Sequence, residues 1–252
     1  MRELADIEAV LFDLGGTLID YPVPSWHVMV GQCVGGVYGF FVHPESERPV
    51  PAAEVPPPAE AHARRGSPRP DAPWPHRLTI ALRRMVRSLS GRTLPRVAEA
   101  CARPLVAAGC LFEDSLPTLQ ALRDRGYRLG LVSNTPWGTP EYLWTSQLER
   151  FGLEGFFEVR CFSSHIGFRK PDPRIFRIAL DRLGVPAGRA LFVGDSPEAD
   201  IVGAQRSGIP SVLIARQGTA KTRATPNPDL RIERLTELLA YLPPNRALGR
   251  DA

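Results

Sequence analysis

Lysine is nearly missing from this chain. Of 31 basic residues only Lys170 and Lys221 are lysine, and the rest are arginine. The positive charge is scattered, and a net charge of +4 with a pI of about 9.1 is mild. A nucleic-acid-binding surface gathers its basic residues into one patch, so no nucleic-acid partner is expected. Cysteine is also scarce: Cys33, Cys101, Cys110 and Cys161 show neither the paired spacing of a metal site nor the density of a disulfide framework. Reduced thiols are the expectation. No apolar run is long enough to span a bilayer. Arg2, Glu3, Asp6 and Glu8 crowd the start of the chain, where a signal peptide would need an apolar stretch. These absences lead to the expectation of a cytoplasmic protein with no membrane partner.

What is present is material for a core. Hydrophobic residues make up 43% of 252, enough for one large domain or a core carrying a smaller insert. Apolar runs at 10–12, 128–133, 158–163, 190–193 and 211–215 read as strands buried on both faces, because they do not alternate with polar residues. Single helical segments separate the later ones. A helix over 115–125 stops at Gly126, and Thr139-Pro140 opens the next. Asp172-Pro173 caps a helix ending at Gly184, Ser196-Pro197 one ending at Gly208, and 235–242 offers a last. Strand–helix alternation predicts parallel pairing with right-handed crossovers. The fold class expected is α/β, a doubly wound Rossmann-like parallel sheet formed by 1–20 and 113–252. Residues 21–112 read as an inserted, mainly helical cap. Apolar stripes at Leu78, Leu82, Met85, Val86, Leu89 and at Leu94, Val97, Ala98, Cys101, Leu105 have helical spacing. Between 44 and 76 proline is too dense for regular helix, and this arm is either a plain loop or a segment that a partner groove accepts. No protein partner can be named from it.

The first strand ends in F-D-L-G-G-T-L, where Asp13 stands at a carboxyl end, the side on which open α/β sheets bind ligands. Asp13 is either a turn aspartate or a nucleophile able to attack phosphorus. Gly15 and Gly16 let the backbone turn and approach a ligand, and Thr17 offers a hydroxyl or a simple turn. Ser133 and Asn134 end a later strand, where they either shape a turn or donate hydrogen bonds to phosphoryl oxygens. Lys170 stands out because the chain otherwise uses arginine, so a lysine before Pro171-Asp172-Pro173 suggests a site needing a compact ammonium. Asp195 and Asp200, in V-G-D-S-P-E-A-D, offer the oxygen ligands that magnesium prefers. Asp195 fits a direct ligand, and Asp200 a second ligand, an orienting acid or a first-turn acid favoured by the helix dipole.

Four segments together resemble the signatures of the haloacid dehalogenase-like hydrolase superfamily, and look most like its phosphatase branches. They are Phe12 to Leu18, Leu131 to Asn134, Arg169 to Phe176 and Val193 to Asp200, in the family's order across the whole core. The resemblance implies a Rossmann-like core with a cap inserted after the first segment. It implies Mg²⁺-dependent phosphoryl transfer from a small phosphorylated metabolite, with Asp13 attacking. It also implies Mg²⁺ held by Asp13, Asp195 and the Gly15 carbonyl; the compact ammonium of Lys170, by its own chemistry, would neutralise phosphate and nucleophile charge.

One position departs from the pattern. The family's phosphatases carry a second aspartate two residues after the nucleophile, and here that residue is Gly15. The carbonyl survives the change, but the acid–base group does not, and such groups contribute roughly a hundred- to ten-thousand-fold. Aryl or acyl phosphates are therefore expected to turn over better than alkyl ones, and His27 and His165 are chemical candidates for the missing group. Two other functions stay open: a weakened or inactive protein that only binds phosphorylated ligands, and a metal-independent haloacid dehalogenase, whose halide product needs no proton.

Overall fold

In a computed structural model of the chain, residues 6–22, 32–33, 35–36, 93–136, 139–216 and 227–245 are described. The Pro-rich arm, the stripe from Leu78 to Leu89, Trp26, His27, Trp137 and Lys221 lie outside them. The chain divides into two compact units, one made of residues 1–21, 110–135 and 144–252, the other of 22–109 and 136–143.

The larger unit is built on a six-stranded sheet. Its strands are β1 (Ala9–Phe12), β4 (Arg128–Ser133), β5 (Val159–Phe162), β6 (Ala190–Gly194), β7 (Ser211–Ile214) and β8 (Leu230–Ile232), in the order β5-β4-β1-β6-β7-β8. Every pairing in it is parallel, so the fold is the α/β, Rossmann-like one that the strand–helix alternation predicts. β1 reads Ala-Val-Leu-Phe and is buried along its whole length, as a central strand covered on both faces must be. It pairs with β4 on one side (Phe12 opposite Leu131) and with β6 on the other (Phe12 opposite Val193). The strand order reverses at β1, and the crevice at such a switch point is where open sheets place ligands.

Helices connect these strands. α2 (Ser115–Asp124) ends before Gly126, whose φ of 85° is left-handed. α5 (Pro173–Leu183) starts as its sequence dictates: the Asp172 carboxylate accepts from the Arg174 amide, proline occupies the first turn, and Gly184 closes the helix. α5 buries Ile175, Phe176, Ala179 and Leu180 against the sheet. Phe176 meets Phe192 of β6 edge-on at 5.0 Å, a pairing worth about 0.5–1.5 kcal/mol beyond its buried area. Ser196 caps a wide π turn, Pro197–Ile201, that runs into α6 (Val202–Arg206). A 3₁₀ turn at Leu235–Glu237 leads into α7 (Leu238–Tyr241). A two-stranded antiparallel ladder, β2 (Ile19–Asp20) with β3 (Cys110–Leu111), stands apart from the main sheet.

In the smaller unit, α1 (Thr93–Ala108) buries Val97, Ala98, Cys101 and Ala102. The Cys33 thiol donates to the Cys101 carbonyl at 3.1 Å, and both cysteines are free thiols. α3 (Glu141–Arg150) begins in this unit directly after Pro140, its residues from Trp144 on belonging to the larger unit, and the Thr139 hydroxyl donates to the Pro136 carbonyl. No described helix is long and apolar enough to cross a membrane.

Candidate functional site

Acids beyond two strand ends converge on one ammonium. Asp13 follows β1, Asp195 and Asp200 follow β6, and Lys170 lies on the loop between the short helix α4 (Ser163–Ile166) and α5. Lys170 Nζ donates to Asp13 Oδ1 at 2.5 Å and to the Val132 carbonyl at 2.8 Å, and it stands 2.8 Å from Asp200 Oδ1. Its side chain is 1% exposed, which explains why arginine does not serve here. Two hydrogen-bond acceptors and a third, ion-paired carboxylate oxygen around a single nitrogen suit a compact ammonium, whereas a planar guanidinium spreads its donors along a fork.

The carboxylates outnumber that cation. Ligand atoms of Asp13, Asp195 and Asp200 all lie within 4.8 Å of one another. Burial pushes the Asp13 carboxyl up to about 6, with the Asp200 charge adding to it and Lys170 pulling the other way. Burial, together with the charges of Asp13 and Asp200, pushes Asp195 up to about 8. Burial works against the Lys170 ammonium, but Asp13 and Asp200 outweigh it and hold Lys170 above its ordinary value. Three acids facing one ammonium leave negative charge that another cation would relieve.

Local backbone geometry positions each group. The Asp13 amide donates to the Val193 carbonyl at 2.9 Å, fixing the first acid to the strand that carries the others. Gly16 has a φ of 80°, and its Cα lies against Asp195, where a Cβ would meet Oδ2 at 2.4 Å. A side chain at 16 is thus excluded twice, by backbone and by space. Gly16→Ala should therefore displace the Asp195 carboxylate. The left-handed backbone alone costs about 1–2 kcal/mol, so a thermal melt should show Tm lower by roughly 2–8 °C. The Asp200 carboxylate accepts from the Ser196 amide at 2.9 Å, so it braces the turn after β6 as well as facing Lys170.

Ser133 is buried at the end of β4. Asn134 has a role the sequence does not display: its amide nitrogen donates to the Lys170 carbonyl at 3.0 Å, and its amide oxygen accepts from the Lys170 N–H at 2.9 Å. This reciprocal pair orients the backbone from which the ammonium reaches inward. Thr17 is fully buried, and its hydroxyl has no partner among the described residues. His165 lies exposed on α4.

Sequence reasoning missed the groups that hold the loop after Asp13. The Arg216 guanidinium, stacked 3.5 Å over Phe112, donates to the Thr17 carbonyl at 2.6 Å and to Asp114 at 3.0 and 3.2 Å. Asp114 in turn accepts from the Leu235 amide, and the Ser115 hydroxyl donates to the Leu18 carbonyl. A basic residue just past β7 was the available signal, but nothing local marks its partner 102 positions away.

The arrangement is that of a family. The family model for haloacid dehalogenase-like hydrolases matches residues 7–208, and the chain belongs to that family. It is 39% identical over 144 residues to a glyceraldehyde 3-phosphate phosphatase of Methanopyrus kandleri, covering 56% of this chain and 58% of that protein. It is 36% identical over 128 residues to a phosphoserine phosphatase of Thermus thermophilus, covering 51% and 49%. The chain thus spans about half the length of the curated relatives it matches. Among solved structures, a HAD phosphatase from Thermococcus onnurineus superposes with a TM-score of 0.63 at 25% identity, covering 95% of this chain and all of that one. A 2-haloacid dehalogenase from Pseudomonas syringae superposes with 0.60 at 25%, covering 94% and 98%.

Proposed function

We propose that this hydrolase is a Mg²⁺-dependent phosphatase of small phosphorylated metabolites, working through an aspartyl-phosphate on Asp13, with residues 21–112 as its cap. The observation that carries this reading is the cluster of Asp13, Asp195 and Asp200 around a single ammonium. The donor set is entirely oxygen and carries surplus negative charge, which fits a hard divalent cation. Asp13, Asp195 and the Gly15 carbonyl would hold it, with Asp200 as a further ligand or an orienting acid. When bound, Mg²⁺ supplies positive charge against the phosphoryl oxygens.

The residues divide the chemistry among them. The Asp13 carboxylate attacks phosphorus, and the bond to the leaving oxygen breaks with its electron pair on that oxygen. Water then hydrolyses the acyl phosphate and restores Asp13. Lys170 neutralises charge on the nucleophile and the phosphoryl group, and Ser133 donates to a phosphoryl oxygen. Asn134 donates there too in this reading, in addition to its hold on the Lys170 backbone.

A panel of metabolite phosphates tests this. Turnover should fall to background in EDTA and return with Mg²⁺. The dehalogenase alternative is favoured by one feature, the absence of an acid at Gly15, and halide release that ignores EDTA would establish it instead.

The raised carboxyls give a pH signature. An acid whose folded value lies above its ordinary 3.8 binds protons more tightly in the folded chain. Metal-free stability should therefore decline as pH rises from about 4 through 6 and 8. Mg²⁺ must displace those protons, so its effect on Tm should grow from pH 5 to pH 8. A Mg²⁺ effect constant across that range would contradict the assignment.

A further inference from the structure

Gly15 leaves no carboxyl beside the nucleophile, but the space next to it is filled. The Tyr21 ring lies in the direction in which a side chain at 15 would project: a Cβ there would stand 3.3 Å from Cε2 and 3.4 Å from Cδ2. The hydroxyl is carried on Cζ, one carbon beyond Cε2. Trp144 meets the ring edge-on with centroids 6.1 Å apart, and Trp144 is itself buried, so packing holds the ring in place. The hydroxyl oxygen is shielded from solvent and has no hydrogen-bond partner among the described residues. A buried polar atom without a partner is costly, and folded proteins keep few of them unless they serve a ligand.

We propose that the Tyr21 hydroxyl donates a hydrogen bond to the leaving-group oxygen, in place of the carboxyl that Gly15 does not provide. This rests on the phosphatase reading and narrows it, because such a donor matters most for alkyl phosphates, whose leaving oxygens develop the most charge. Burial, with the nearby Asp13 charge and against the pull of Arg150, raises the phenol well above its ordinary value, so it stays protonated. It acts as a fixed donor to developing charge. The phenol gives up no proton, and the departing alkoxide takes one from water.

The test compares an alkyl phosphate with p-nitrophenyl phosphate in wild type and Tyr21→Phe, with Asp13→Asn as the blank. Tyr21→Phe should lower kcat for the alkyl ester by about 100- to 1,000-fold with KM little changed, the range typical of removing one such donor. Its kcat for the aryl ester, which needs no donor, should change by less than about threefold. Tm should hold or rise, since the ring stays and only an unpartnered hydroxyl goes. Gly15→Asp in the Tyr21→Phe background should restore part of the alkyl turnover; its Cβ alone asks the ring to give by a few tenths of an ångström, and the carboxyl beyond it needs the ring to swing aside. Equal losses for both esters, no loss for either, or a wild type that cleaves only the aryl ester would overturn the inference and leave the phosphatase reading standing. No Asp13-dependent turnover of any ester would overturn the phosphatase reading and the inference with it.

Discussion

Asp13→Asn abolishes turnover: the expected loss in kcat is on the order of 10⁴-fold or more, as for removal of a covalent nucleophile elsewhere. An amide keeps the shape of the carboxylate but cannot form the acyl phosphate. Stability should move the other way. Asp13 sits in a site whose burial raises it to about 6, so its charge opposes folding at neutral pH. Asparagine removes that charge while Lys170 keeps Asp200 and the Val132 carbonyl as partners. The metal-free variant should melt no lower than wild type at pH 7.5, and Mg²⁺ should raise its Tm less. Loss of activity combined with a substantial fall in Tm would mean that Asp13 holds the fold together and is not the attacking group.

Lys170→Met is the second large effect, with kcat falling at least about 10³-fold, the upper end for one preorganised electrostatic group. The nearly isosteric thioether leaves Asp13, Asp195 and Asp200 facing one another with no cation. Removing one partner of a buried pair typically costs about 3–5 kcal/mol. Here the acids can protonate instead, so the loss of Tm should be steepest at high pH and shrink towards pH 5. Lys170→Arg should also fail, because its fork cannot bring one nitrogen to Asp13, Asp200 and the Val132 carbonyl together. Thermal melts across pH, paired with kcat for an aryl phosphate, check both variants. Full activity in Lys170→Arg would show that charge alone suffices.

Local rules made much of this architecture legible. The strands are continuous apolar runs, and helix starts such as Asp172-Pro173 and Ser196-Pro197 carry their caps in sequence. β8 escaped because Leu-Arg-Ile at a sheet edge is too short to form a pattern, and the β2–β3 ladder because each strand has two residues and the two are separated by residues 21–109. In the site, acids and lysine at strand ends could be picked out by residue type. The Asn134 clasp on Lys170 could not, because it depends on a tertiary approach that no spacing encodes, and the Asp200 brace on Ser196 and the Tyr21 ring beside Gly15, though near in sequence, depend on turn geometry that residue type does not display. Tyr21 in particular follows the motif at a distance where the chain has already turned through β2.

The central position of β1 also bears on how the chain is made. Its neighbours in the sheet begin at Arg128 and Ala190, so more than a hundred residues must leave the ribosome before the first can dock. At about 5–20 residues per second, the Ala-Val-Leu-Phe segment waits roughly 5–20 s without a hydrogen-bonding neighbour. A wholly apolar strand with both edges open is an aggregation hazard, and that interval is when a nascent-chain chaperone has most to protect.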